Sequence, residues 1–476
     1  MLAILISVLA IILPVEKSDS SSIHRSKVEQ NQSVDDSYVT IDAIFIVGNK
    51  RTKPSIILRE MSVMKGDTYT ESSLADILVL DKNKLLSTRL FVTVDISILH
   101  LSDTQVDIVV NVSERWYTFP SPIFDLVDRN FNDWWQNQNR DLSRTNFGVK
   151  IYQNNFRGRN ETLKLLLQLG YTHQFGVTYR IPYIDKKQRH GLTFHYNYAE
   201  NKNIAVRTID HKPVFFDSEE ILKVTRDYGL GYHFRKSFYN IHSLDVRLND
   251  NTINDTISNI NQEYYKNTST KQKYIQITYS FTHDKRDNSS YPISGNRFDF
   301  EIQKLGVGIF NDVDKTEISI SYAKFIDLKK GFLFANYSSI YVSEPEQQPY
   351  ANIGALGFKK NFVRGYELYL IEGKSFSLNR STIKKRIFST VGRLGFIPIK
   401  QFRKIPIDIY LKTYYDMGYV ENFENYNQNK RLSDRFLFGA GGGIDFVTYY
   451  DTVIRVEYSI NREQESGFFL HFRKEF

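Results

Sequence analysis

The chain has 476 residues, a formal net charge of +8 at pH 7, no cysteine and a mean hydropathy of −0.39. The absence of cysteine excludes disulfides and thiolate metal sites and suits an oxidising compartment. The basic residues are scattered, with no basic stripe or interleaved stacking motif, so the charge does not indicate nucleic acid.

Residues 1–15 begin with the apolar run MLAILISVLAIIL, whose length fits the hydrophobic region of a signal peptide better than a membrane span. No Lys or Arg precedes it and no clear A-x-A site follows, so the expectation is atypical cleavage or a start upstream of Met1. Residues 16–37, dominated by Ser, Asp, Gln and Asn, read as a flexible spacer.

Residues 38–115 form the first predicted domain. Ile41, Ala43, Phe45 and Val47 alternate as a strand that ends at the turn Gly48-Asn49. A helix is expected from about Lys53 to Met64, then a break at Lys65-Gly66-Asp67. Leu74, Ile77, Leu78 and Leu85 have helical spacing. Val92, Val94, Ile96 and Ile98 give a second strand, and Val106, Ile108, Val110 and Val112 a third. The order βααββ predicts two helices on one face of a small sheet with an exposed strand edge.

Residues 116–140 are rich in Pro and aromatics and read as a linker, with Trp134 and Trp135 suited to a membrane interface. Residues 141–476 then return repeatedly to runs of about ten alternating residues closed by polar turns, the pattern of an antiparallel transmembrane β-barrel. Ile275, Ile277, Tyr279 and Phe281 alternate with Gln276, Thr278, Ser280 and Thr282. Ile454, Val456, Tyr458 and Ile460 alternate with Arg455, Glu457, Ser459 and Asn461. A strand's side chains have period two, so one face meets lipid and the other the lumen. Arg is therefore expected to be tolerated at Thr278 and Ser459 but not at Ile277 or Val456. At roughly 21 residues per strand and connection, the region holds about sixteen strands. A soluble β-sandwich also alternates, but the number of runs and their Tyr- and Phe-rich faces favour the barrel; the chain has 31 Tyr and 34 Phe against 3 Trp.

Enzyme signals are poor. Gly373-Lys374-Ser375 lacks the upstream Gly of a P-loop, and there is no H-E-x-x-H or paired metal spacing. No catalytic residue, metal or cofactor is expected.

Several stretches carry a family resemblance. IDAIFIVGNKRT, with Gly48, Asn49, Arg51 and Thr52, resembles the opening strand and turn of a POTRA domain, and RLFVTVDI and VDIVVNVSER resemble its later strands. Val363-Arg364-Gly365-Tyr366 resembles the internal-loop motif of the BamA/TamA-like outer-membrane assembly family, also called the bacterial surface antigen barrel family. FRGRNETLKL, YRIPYID and THDKRDNSSYPISGN resemble other barrel segments of that family. The resemblance implies that the loop after the eleventh strand folds into the lumen and that its Arg meets an acidic residue. In IDIYLKTYYDMGYV the register that puts Ile407, Ile409, Leu411 and Tyr415 outward turns Asp408, Lys412, Tyr414 and Asp416 inward. Tyr414-x-Asp416 resembles the family's Phe-x-Asp element, which makes Asp416 the expected partner of Arg364. The ending of the chain, with Phe468, Leu470, Phe472 and Phe476 on one face, resembles the terminal signal of outer-membrane barrels. The resemblance implies an outer-membrane barrel with a periplasmic POTRA domain. It also implies extended client polypeptides, membrane lipid and accessory periplasmic or lipoprotein subunits as partners. The implied function is assisted insertion or translocation of polypeptides; the alternatives are a passive porin-like or structural outer-membrane barrel and a polypeptide secretion pore.

Overall fold

The computed structural model describes residues 37–126, 134–135, 139–185, 187, 189–237, 239–310, 312–358, 361–393, 404–424, 429–448 and 452–471. The expected signal peptide and nearly all of the spacer lie outside these residues, as do Phe472 and Phe476. Two compact units divide the chain, residues 1–49 with 57–113, and residues 50–56 with 114–476.

In the first unit, β1 (Tyr38–Val47), β2 (Thr68–Thr70), β3 (Phe91–His100) and β4 (Gln105–Glu114) form one sheet in the order β2-β1-β4-β3. α1 (Pro54–Leu58) is grouped partly with the second unit, and α2 (Glu71–Ser87) is the long helix. Thr70 caps α2 by accepting the Ser73 N–H. Leu74, Leu78 and Leu85 of α2 are buried, as are Val106, Ile108, Val110 and Val112 of β4. Three expectations are corrected. The first helix ends at Leu58 rather than Met64: Met61 and Val63 are buried beyond it, and buried Asp81 takes the Ser62 N–H at 2.7 Å. The three-residue strand β2, absent from the sequence reading, pairs with Tyr38–Thr40. The register of β1 against β4 shifts between Ile41 and Ala43, so Ile41 is buried while Phe45 and Val47 are exposed. A one-residue slip exchanges the two faces of a strand, so a single alternating face was the wrong description of β1.

The second unit contains a sixteen-stranded sheet in which neighbours in space are neighbours in sequence once two small hairpins are set aside. It comprises β5 (Thr118–Leu126), β6 (Thr145–Phe156), β7 (Glu161–Gly170), β8 (Thr172–Ile181), β9 (His190–Asn201), β12 (Lys223–Arg235), β13 (Asn240–Ile253), β14 (Lys271–Asp284), β15 (Gly295–Leu305), β16 (Lys315–Lys329), β17 (Phe332–Glu344), β20 (Ser375–Arg393), β21 (Lys404–Glu421), β22 (Phe436–Thr448), β23 (Thr452–Asn461) and β24 (Ser466–His471). Every described pairing in it is antiparallel. The hairpins are β10 (Asn203–Ile209) with β11 (Lys212–Asp217), and β18 (Ala355–Leu356) with β19 (Ile371–Glu372). Both lie at the rim opposite the one where β5 begins.

β5 falls inside the stretch read as linker, so the sheet begins before residue 141. Pro120 and Pro122 obscured it, because proline interrupts a strand pattern. They are two residues apart, so their nitrogens face one side, and the ladder with β6 runs unbroken from Thr118 to Leu126. Proline is tolerated where a strand's missing donor faces away from its ladder.

The faces segregate as alternation demands. On β23, Val456, Tyr458 and Ile460 are exposed to the surroundings, whereas Arg455, Glu457, Ser459 and Asn461 are buried. On β14, Gln276 and Thr278 bond to Gln303, while the Tyr279 and Phe281 rings meet Phe300 and Phe298.

Candidate functional site

The hairpin β18–β19 brackets residues 357–370, which include the VRGY motif. Val363 and Tyr366 are each 1% exposed, and the Tyr366 N–H donates to the Val363 carbonyl at 3.0 Å, which makes a tight turn. Gly365 sits at φ +93°, a backbone conformation that L side chains rarely adopt. Its carbonyl accepts from Asn461 Nδ2 at 2.8 Å, and its N–H donates to Glu367 Oε2 at 2.6 Å. Tyr366 Oη donates to Glu463 at 3.2 Å and Tyr369 Oη to Glu465 at 2.5 Å, tying the loop to the turn between β23 and β24.

Arg364 and Asp416 come together. Arg364 donates to the carboxylate from Nε to Oδ2 at 2.8 Å and from Nη2 to Oδ1 at 2.6 Å, and its backbone N–H donates to Oδ2 at 3.0 Å. Nη2 also reaches Thr382 Oγ1 at 3.0 Å. The guanidinium lies 3.8 Å from the centre of the Tyr414 ring, and the Tyr414 hydroxyl meets Ser459 Oγ at 2.7 Å. Asp416 is fully buried, and Arg364 is 6% exposed. A two-pronged arginine–carboxylate pair fixes orientation as well as position. A buried pair is weak evidence for net stability, but removal of one partner strands a charge and costs about 3–5 kcal/mol.

Residues outside the motif complete the site. Lys412 bonds Asp445 and, at 2.7 Å, Glu457, which also lies 3.6 Å from Arg364 and 3.3 Å from His471. Tyr291 donates to Asp445 at 2.9 Å. Opposite charges thus alternate from the internal loop across β21, β22 and β23, with His471 of β24 beside Glu457. The floor beneath the loop is the glycine run of β22. A Cβ at Gly439 would stand 1.7 Å from the Arg364 carbonyl oxygen, so only a residue without a side chain admits the loop there. The sequence FGAGGGID carried that signal, since glycine inside a strand marks close backbone approach. The inward side of Lys412 was read from sequence; the roles of Gly439, Glu457, Thr382 and Asp445 were not.

Ser459 does not meet the expectation of a tolerant lumenal position. It is fully buried beneath Tyr414, whereas Thr278 is half-buried beside polar neighbours. The remaining predicted residues are separate from this site. Gly48 and Asn49 follow β1. The Glu114 carboxylate accepts the Arg51 N–H at 3.0 Å, and the Thr52 N–H and hydroxyl at 2.6 Å each. Phe468 is exposed, Phe469 is buried, and Leu470 pairs with Val456. Lys374, in the stretch resembling a P-loop, forms ion pairs with Glu346 at 2.7 Å and Glu421 at 3.4 Å. No group of three potential metal-ligating side chains occurs among the described residues.

A membrane-type β-barrel whose lumen holds a pinned internal loop, together with a small βααββ-type sheet domain, defines the class of protein. Residues 155–464 match the Omp85 superfamily domain, and residues 39–115 match the POTRA family, surface antigen variable number repeat. The chain belongs to the Omp85 superfamily. It is similar in fold to BamA from Haemophilus ducreyi lacking POTRA domains 1–3, with TM-score 0.54, 14% identity, and coverage of 91% of this chain and 83% of that one. CdiB from Acinetobacter baumannii matches with TM-score 0.53 and 14% identity, over 92% of this chain and 74% of that one. CdiB from Escherichia coli gives TM-score 0.55 and 10% identity, over 91% and 75%. No curated protein matches the sequence. Omp85 superfamily barrels are outer-membrane proteins with periplasmic POTRA domains.

Proposed function

We propose that this protein assists the insertion or translocation of polypeptides at the bacterial outer membrane, its POTRA domain capturing extended client and its barrel acting with the internal VRGY loop. The observation that carries this reading is the loop itself. Arg364, Asp416, Glu457 and Lys412 hold a chain segment inside the lumen by buried charge pairs, next to the last strands of the sheet. An element that fills part of the lumen opposes free conduction, which favours the assembly reading over an open passive channel.

The POTRA sheet supports the client half of the proposal. β3 lies at one end of the sheet order, and an edge strand offers unpaired N–H and C=O groups whatever the client sequence. Expected partners are membrane lipid, extended polypeptides and accessory periplasmic or lipoprotein subunits. A secretion pore is the second reading, favoured by the fold likeness to the two CdiB structures.

Depletion followed by quantitative envelope proteomics tests the proposal. Loss of many outer-membrane barrels supports assembly, loss of one exported protein supports the secretion pore, and an unchanged proteome defeats both. Ile96→Pro and Ser97→Pro on β3 localise the client contact, because consecutive N–H groups point to opposite sides of a strand. One of the two removes an edge donor and should abolish crosslinking to extended peptide while the domain stays folded.

A further inference from the structure

The β10–β11 hairpin forms no part of the sixteen-stranded sheet, yet its tip is built into the root of the internal loop. His211, fully buried at that tip, donates its N–H to Asn429 Oδ1 at 2.8 Å, and its carbonyl accepts the Leu370 N–H at 2.8 Å. Its Nε2 accepts the Leu432 N–H at 2.9 Å, and its Nδ1 is buried without a hydrogen-bond partner. Asn429 Nδ2 donates to the Thr208 carbonyl at 3.0 Å and to Glu372 at 3.1 Å, and the Thr208 hydroxyl donates to Glu372 at 2.5 Å. Three segments distant in sequence thus meet at one residue, the loop root at its carbonyl and residues 429–435 at its N–H and its imidazole.

We propose that His211 is the acid-sensitive pin of a latch that holds the far-rim hairpin on the root of the internal loop. The latch needs a bare Nε2 to receive the Leu432 N–H. Protonation removes that acceptor and sets a new Nε2–H against the Leu432 N–H, donor against donor, while the buried Nδ1–H is common to both forms. The charged groups nearby do not offset this. Arg431 faces the ring from residues 429–435, with its charge shared with Asp210 of the hairpin at 2.7 Å; Glu372 of the loop root is engaged by Thr208 and Asn429.

Burial, with the Arg431 charge adding to it, pushes the His211 imidazole down from 6.5 to about 4. The neutral ring is the latched form, so the latch is at full strength above pH 6.5, weakens as pH falls through the window down to about 4, and loses nothing more below it. At pH 5 these two values make the weakening on the order of 30-fold. Hydrogen exchange on the full chain in liposomes, corrected for intrinsic rates, is the test. Peptides covering 208–214, 368–374 and 429–435 should lose protection on the order of 30-fold between pH 7.5 and pH 5, while peptides from β14 hold theirs. Unchanged protection in the three segments overturns the proposal. His211→Gln, which cannot gain a proton in this range, should abolish the pH response; a response that persists in it overturns the proposal too. If that variant fails to fold, Arg431→Gln decides: the midpoint of release should move toward neutral pH, and an unmoved midpoint rejects His211 as the pin.

Discussion

The lumenal faces of β21–β23 and of β13–β15 are built from the same kinds of residue and behave as different materials. On β21–β23, Lys412, Asp416, Asp445 and Glu457 are each at most 4% exposed and are joined into one charge network. On β13–β15, the pairs Arg247–Asp245 and Arg297–Asp299 and the Gln276–Gln303 amides remain open to the lumen, with the paired side chains 21–43% exposed. The difference is the internal loop, which lies on the first wall and converts its water-facing side chains into an interior. Identical residue types are worth little where solvent screens them and much where it does not.

The sharpest way to break this comparison is to remove one charge from each wall. Arg364→Ala or Asp416→Ala should cost about 3–5 kcal/mol in urea unfolding and lower heat resistance on semi-native gels. The double variant should cost less than the sum of the singles; full additivity would show that the two do not act as a pair.

A second comparison sets the lipid face against both walls. Arg at Ile277 or Val456 should cost about 2–4 kcal/mol, and Thr278→Arg should be tolerated. Ser459→Arg should destabilise the barrel although it faces the lumen, because the site lies under Tyr414. Equal tolerance at Thr278 and Ser459 would mean that the two walls are alike.

Gly439→Ala, with its Cβ driven against the Arg364 carbonyl, should cost about 1–3 kcal/mol and displace the loop, read as new protease cleavage within residues 357–370. Gly442→Ala on the same strand should leave the loop protected, its nearest neighbour being the Lys412 carbonyl oxygen at 3.4 Å.

The smallest effect belongs to the open wall. Arg297→Ala should change stability by no more than about 1 kcal/mol, and the loss should shrink in high salt. A loss as large as that of Arg364→Ala would remove the distinction between screened and buried pairs.

Legibility followed the same division. On β21 the alternation placed Leu411 and Tyr415 outward and Lys412, Tyr414 and Asp416 inward, as observed. The motif residues of the loop could be named because Arg364 and Asp416 each stand in a short distinctive string. Ser459 was misjudged because alternation reports which face a residue occupies, not what lies on that face.

What the sequence determined by itself was periodic: period two for the strands of both units, a 3.6-residue spacing for α2, and hence the two classes of domain. Period is a local property, carried by the chirality and spacing of neighbouring residues. Tertiary structure alone decided the non-periodic features. The shift within β1 is visible only against β4, and β5 emerges through its prolines only as a ladder with β6. The Leu432 N–H finds His211 across 221 residues of chain. Each of these rests on a partner distant in sequence, and a buried donor or acceptor is satisfied by whichever group the fold brings to it, which no local pattern specifies.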